Sequence, residues 1–308
     1  MPVDLECKSS IFYYTDDDVH KVLANYGKEL KDLEDDMKSV KYWFKIQPHI
    51  PVAPSDKLIV FYLLMNKFSI EKTKTRLEMN YSIRSVMPEY YCYNPLHQKM
   101  RESHKYLKFM VVPNLTKDLR RIVLFKYESE PFLDISLMIS RMIMGLELLA
   151  MYDFNIGDEY ISDCSNVNLS LITKIKLTDI KKFVALLNKV YTNRFFVIHT
   201  VNLPPAAEAL FNVFKFCLKP KLRDRLLLHN STEALKQYYS LDILPKDYGG
   251  NAKSIDESAS DFQSFFESHD EYFSKWMKIR VNEKLRPEPL VNDEILGFHG
   301  NFKKLDVD

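Results

Sequence analysis

Between residues 16 and 46, apolar side chains recur at three- and four-residue steps: Val19, Val22, Leu23, Tyr26, Leu30, Leu33, Met37, Val40 and Phe44. That spacing gathers them on one helical face and predicts a helix over the whole stretch. Gln47-Pro48-His49-Ile50-Pro51 ends it, because proline offers no N–H and crowds the preceding turn. Pro54-Ser55-Asp56 then supplies a cap for a helix over about 57–66, and Ser69 caps a third running to about Val86. From about 105 the rhythm changes. Leu107–Val112 and Arg121–Tyr127 are short β-branched and aromatic runs that predict strands. A long apolar helix is expected over about 133–152, a weaker strand at 160–163, a helix from Asp179 to Tyr191 and a strand over 195–201. Strands alternating with helices predict a largely parallel sheet with helices packed on it.

Beyond Gly250 the chain is polar until an aromatic cluster, Phe262, Phe265, Phe266, Tyr272, Phe273 and Trp276, predicts a helix packing back on the fold. The end, 285–308, reads as extended or partly disordered. Three regions follow: a helical module over 1–95, an α/β domain over 96–252, and a helical extension with a tail over 253–308.

With 308 residues the chain can bury a sizeable core. Forty-three basic residues against forty-two acidic ones give almost no net charge, which argues against a general grip on nucleic acid. Only seven glycines occur, so phosphate-cradling loops are not expected. The four cysteines form no CxxC pair and read as small buried thiols in a reducing cytosol. The first residues carry no signal peptide, and the greasy runs at 136–151 and 205–218 read as too interrupted for a membrane-spanning helix. A soluble cytoplasmic monomer is the expectation.

Catalytic signatures do not appear. The eight histidines form no HExxH, and neither GxSxG nor GxxxxGK[ST] nor GxGxxG is present. The acidic runs Asp16-Asp17-Asp18 and Glu34-Asp35-Asp36 lie in polar surroundings with nothing to raise a pKa. His199 and His229, on or beside strands, read as hydrogen-bonded structural histidines. No enzyme, metal or cofactor is expected.

The stretch 194–250 carries the functional signal. An apolar strand (Phe195-Phe196-Val197-Ile198-His199) leads through Asn202-Leu203-Pro204-Pro205 into a helix on which only Glu208, Asn212 and Lys215 are clearly polar. Such a helix is either buried on both sides as ordinary core or covers something apolar. A basic turn follows, in which Lys221 and Arg225 lie four residues apart on one helical face. Leu244-Pro245-Lys246-Asp247-Tyr248-Gly249-Gly250 closes the stretch, its glycines suited to a tight turn.

This succession resembles the CRAL-TRIO lipid-binding family, in its tocopherol-transfer-protein-like, insect-type branch. The resemblance covers about residues 20–252, and one departure is Asp163-Cys164-Ser165-Asn166 where the family has Asp-x-x-Gly; asparagine is the next best residue for a left-handed turn. The resemblance implies an α/β fold with a helical N-terminal module and a sheet-and-helix cavity domain. It implies a soluble carrier that takes one small hydrophobic ligand, such as a retinoid, tocopherol or juvenile-hormone-type terpenoid, and exchanges it at membranes. By the same resemblance Leu137, Ser140, Met144, Phe183, Leu186, Leu187 and Ile198 line the cavity. Leu210, Phe211, Phe214 and Cys217 then form the working face of a mobile lid helix. Arg194, Lys221 and Arg225 would meet phosphoinositide or other anionic lipid headgroups, arginine with a forked geometry. Phospholipid transfer and a lipid-sensing signalling scaffold remain the alternatives.

Overall fold

The structure, a computed structural model, describes residues 5–7, 9–128, 134–191, 194–288 and 290. Thr15 opens the first helix, α1 (Asp16–Ala24): its hydroxyl accepts from the Asp18 N–H, while the Asp18 carboxylate accepts from the Thr15 N–H. The helix expected over 16–46 is in fact two. It stops at Ala24 and resumes as α2 (Leu30–Lys45), because the connecting Gly27 turns through a left-handed φ of 64°. Ser55 caps α3 (Asp56–Met65) by accepting from the Leu58 N–H. All eight residues from Leu58 to Met65 are buried, since α2, α4 (Ile70–Val86) and a long later helix surround α3. This is the core of the helical module.

After the short α5 (Gln98–Ser103) come five strands: β1 (Leu107–Val111), β2 (Arg121–Tyr127), β3 (Asp158–Asp163), β4 (Phe195–Val201) and β5 (Leu226–His229). They lie in the order β1-β2-β3-β4-β5, with β1 antiparallel to β2 and the remaining pairs parallel. The expected largely parallel α/β sheet is therefore present, with β5 as a strand the sequence pattern did not resolve. Parallel neighbours require crossovers, and the usual right-handed sense puts consecutive ones on the same face. They are α6 (Ile135–Tyr152), the pair α7 (Leu169–Lys174) and α8 (Leu177–Lys189), and the pair α9 (Glu208–Cys217) and α10 (Pro220–Arg223). Strand alternation separates the two faces. Val123, Phe125 and Tyr160 join the α6 side; Ile122, Leu124, Ile161 and Val201 join a second cluster with Leu235, Leu244 and Tyr248.

Both glycines of the 244–250 turn are needed. Gly249 has φ 72°, and a Cβ on Gly250 would stand 2.0 Å from the Leu244 carbonyl oxygen. The left-handed turn expected at Asn166 is not there; among the described residues the asparagine with positive φ is Asn202, at 56°, just before the Pro204-Pro205 step. Asn166 instead donates to Glu128. The expectation that the 136–151 run is too interrupted to span a membrane also needs correcting. The 18 residues of α6 meet the length and apolarity of a span, yet most are buried inside the protein, and Arg141 and Glu147 sit within it. Here α6 is a core helix.

The aromatic cluster of the tail packs back as expected. It forms α11 (Ile255–Glu267) against β1, and α12 (Asp270–Trp276), whose Tyr272 hydroxyl donates to buried Glu147 on α6 at 2.7 Å. Arg286 then ties the chain to the helical module, donating to Ser82 at 2.7 Å and pairing with Glu78 beside His49. The end expected to be extended lies outside the described residues at 289 and 291–308.

Candidate ligand cavity

A cavity of about 280 Å³ lies between the crossover face of the sheet and the helices α6, α8 and α9. Its floor is made by inward-facing strand residues: Phe125 and Tyr127 of β2, Tyr160 and Ser162 of β3, Phe195, Ile198 and Thr200 of β4, and Leu226 of β5. One wall is α6, through Ile135, Met138, Ile139, Met142 and Leu146, a run at helical spacing. Phe183 and Leu187 of α8 form the second wall, and Leu210, Phe211 and Phe214 of α9 cover the top. The Phe183 and Phe214 rings stack at 6.5 Å between centroids.

Several residues named from the sequence meet here. Phe183, Leu187 and Ile198 stand on the wall, and Leu210, Phe211 and Phe214 stand on its cover. Leu137, Ser140, Met144 and Leu186 do not. They are buried in the main core on the far sides of α6 and α8, and the Ser140 hydroxyl is spent on the Ser136 carbonyl at 2.8 Å. The physical reason is that α6 is apolar on both faces, so periodicity fixes its period and leaves its phase open. Two signals mark the core side. A Cβ on Gly145 would meet the Phe109 ring at 2.5 Å, and Arg141 and Glu147 find buried partners there, including the Leu107 carbonyl and Tyr272. Cys217 is partly buried against Ile180, Val184, Leu218 and Leu226, and does not reach the cavity wall.

The cover helix α9 is not buried on both sides. None of its residues is fully buried: Leu210, Phe211 and Phe214 are half-buried below, while Val213 and Phe216 face outward, Phe216 77% exposed. Of the two sequence-based readings, the geometry matches a helix laid over an apolar space.

The basic residues divide. The Arg194 and Arg225 guanidiniums both lie over the Phe196 ring, at 5.0 and 5.8 Å, and Arg120, which the sequence did not single out, lies over it at 4.0 Å. Each has a polar partner as well. Arg194 donates to the Tyr26 hydroxyl at 2.6 Å, Arg225 to the Phe195 carbonyl, and Arg120 to Glu159 at 2.8 Å. Lys221 stands apart, exposed on α10. Arg223 donates to the Phe216 and Leu218 carbonyls and so ties the end of α9 to α10.

Within the cavity the polar side chains are Tyr127, Ser162, Cys164, Thr200, Asp179 and Tyr160, whose hydroxyl donates to Asp158 at 3.2 Å. Burial pushes the Tyr127 hydroxyl well above its usual range and the Cys164 thiol up to about 11, so both stay neutral. No Lys, Arg or His lines it, and no group of three potential metal ligands occurs among the described residues. On the opposite face of the sheet, His199 and His229 hydrogen-bond to each other at 2.8 Å, as structural histidines would.

Fold and site together define an α/β protein with an apolar cavity covered by a single helix. A model of the CRAL/TRIO domain matches residues 106–250, and a model described as "Pinta-like, UBA domain" matches residues 29–100. Residues 106–250, just under half of the chain, are thus those of a CRAL/TRIO domain. The chain is 28% identical over 144 residues to a mouse alpha-tocopherol transfer protein-like protein, covering 44% of this chain and 42% of that one. To human Clavesin-2 it is 34% identical over 95 residues, 30% of this chain and 29% of the relative. The matched segments thus span less than half the length of these relatives. A solved structure described as the crystal structure of Sfh5 overlays with a TM-score of 0.49 at 14% identity, covering 80% of this chain and 92% of that one.

Proposed function

We propose that this protein is a non-catalytic carrier that holds one small isoprenoid-type lipophile in its cavity and exchanges it at membrane surfaces. The observation that carries the reading is a chamber of about 280 Å³, apolar on nearly every wall, with no basic side chain on it and one half-buried helix as its cover. Its volume falls near the lower end of the usual range for ligand pockets, which suits a retinoid- or terpenoid-sized molecule. A phosphodiester drawn inside would have no cation to pair with, at a large desolvation cost. That argument ranks phospholipid cargo second.

In this reading α9 moves as a lid. Swinging it away exposes Leu210, Phe211 and Phe214, at about 1.5–3 kcal/mol for each side chain taken from full burial to water. Half-buried side chains forfeit part of that, and a bilayer surface would offset the rest. Arg194, Lys221 and Arg225 are proposed to meet anionic lipid beside the lid, in a protein that works in the cytosol and visits membranes. The shared contact of Arg194 and Arg225 with Phe196 supports one basic patch there.

The test is native mass spectrometry of protein purified gently from its own source, followed by organic extraction of the bound material. One stoichiometric small lipophile is the expected result. An empty protein that ignores retinoids, tocopherols, terpenoids and phospholipids would overturn the carrier reading and favour a scaffold.

A further inference from the structure

Ser162 and Thr200 are register partners on adjacent strands β3 and β4, and both line the cavity. Tyr127, at the end of β2, lines the same cavity, with Ser162 near its hydroxyl. The three hydroxyls therefore form one polar cluster at the carboxyl ends of three neighbouring strands. It lies where β4 turns through Asn202 and the prolines into the lid helix. The rest of the wall offers little competition. Asp179 is spent on its own helix, accepting from the Lys176 N–H at 2.9 Å, and Cys164 is a neutral thiol 3.9 Å from the Ser162 hydroxyl.

Thr200 decides the argument. It is 4% exposed, yet it lines the cavity beside its register partner Ser162. A hydroxyl on the wall of an apolar chamber gives a ligand's polar atom a hydrogen-bond partner, which offsets the cost of taking that atom out of water.

We propose that this cluster selects, among lipophiles of suitable size, those bearing one neutral hydrogen-bonding head such as a hydroxyl, ester or ketone. The head is seated on Thr200 and Ser162 beneath the mouth of the lid, and the hydrocarbon body runs along α6 and α8. The inference rests on the carrier reading and adds orientation and head-group class to it. A carboxylate or phosphate head is disfavoured, because neutral hydroxyls with no cation among the lining residues cannot compensate a buried charge.

The experiment is a competition read by native mass spectrometry. Full-length protein is offered equal amounts of farnesol and farnesene, and separately of farnesol and farnesoic acid, and the ratio of the two complexes is recorded. Thr200→Val keeps the side-chain shape and removes the hydroxyl. It should shift the farnesol-to-farnesene ratio toward the hydrocarbon by roughly fivefold, the value of one net hydrogen bond, and adding Ser162→Ala should shift it further. Thr200→Ser, which keeps the oxygen, should hold the wild-type ratio, and farnesoic acid should lose to farnesol in the wild type. A ratio unmoved by Thr200→Val, or moved equally by Thr200→Ser, overturns the head-group site while leaving the carrier reading intact. So does farnesoic acid matching farnesol. Wild-type protein that binds none of these lipophiles overturns both.

Discussion

Phe216 offers a clean separation between folding and membrane contact. It sits on the outer face of α9 with 77% of its surface in water, and only the Arg223 guanidinium, 5.8 Å from the ring centroid, lies over it. Burying a whole phenylalanine side chain is worth about 1.5–3 kcal/mol, so about three quarters of that, roughly 1–2 kcal/mol, remains available to a bilayer. Phe216→Ser should therefore weaken vesicle association by about five- to thirtyfold. The folded state has little to lose: an exposed side chain of this kind contributes within about 0.5 kcal/mol, and the cation–π contact adds a similar amount. Arg223 bonds the backbone carbonyls of Phe216 and Leu218, which the substitution leaves in place. The assay is partitioning onto anionic vesicles, run beside thermal denaturation and a solution titration with the same ligand. Vesicle binding should fall while Tm and solution affinity hold. Unchanged partitioning would refute the reasoning, and so would a loss matched by a fall in Tm, because α9 would then be a structural helix whose outer face never meets lipid.

Filling the chamber is the complementary change. Ile198→Trp places a large ring on the cavity floor, and isoprenoid binding should drop at least tenfold while Tm stays within a few degrees, since there is room for the ring. Arg121 and Asp153 form a fully buried two-point ion pair, with both bonds at 2.7 Å, and Arg121 also donates to the Val112, Pro113 and Tyr13 carbonyls. Arg121→Ala leaves the carboxylate unpaired in the interior and should cost about 3–5 kcal/mol in urea denaturation. Burial, reinforced by His229, holds His199 down to about 4 from 6.5, with the Tyr238 and Tyr239 rings packed around it. The unfolded chain thus takes up this proton first. Stability should be full above about pH 6.5 and decline as pH falls toward 4, and His199→Gln should flatten that slope in a pH series of urea midpoints.

The fold was largely legible, because each of its main signals is local. Proline breaks, serines at the N-cap positions (Ser55 with a capping bond, Ser69 without one) and β-branched runs placed α3, α4, β1, β2 and β4 within a few residues, and the double glycine at 249–250 marked a turn that admits no side chain. Gly27 was the missed signal in the first helix: the apolar spacing runs straight through it, so periodicity alone could not see the break. The cavity was harder. Phe183, Leu187 and Ile198 were placed on the wall side of their elements, yet on α6 the reading chose Leu137, Ser140 and Met144 over Met138, Met142 and Leu146. Both sets are apolar and both recur at helical spacing, and only tertiary contacts, such as Phe109 pressing on Gly145, say which one faces the core. Ser162 and Thr200 were passed over for a related reason. An alternating strand gives no sign of which of its faces is hollow.

The aromatic staple around Phe12 has a consequence for how the chain comes into being. Phe12 packs between Tyr152 on α6 and Phe262 and Phe265 on α11, and Phe109 of β1 meets Phe262 at 4.6 Å. A residue near the start of the chain thus waits for partners about 250 positions later. During synthesis the helical module and most of the sheet emerge first, at a pace of about 5–20 residues per second. For those seconds Phe12 and the outer side of β1 are uncovered. Contacts of such long sequence separation are also the slow ones in refolding. Helices α11 and α12 therefore act as the latch of the assembly, and a ribosome that stalls before Phe262 holds a nascent chain in which Phe12 and Phe109 still lack that partner.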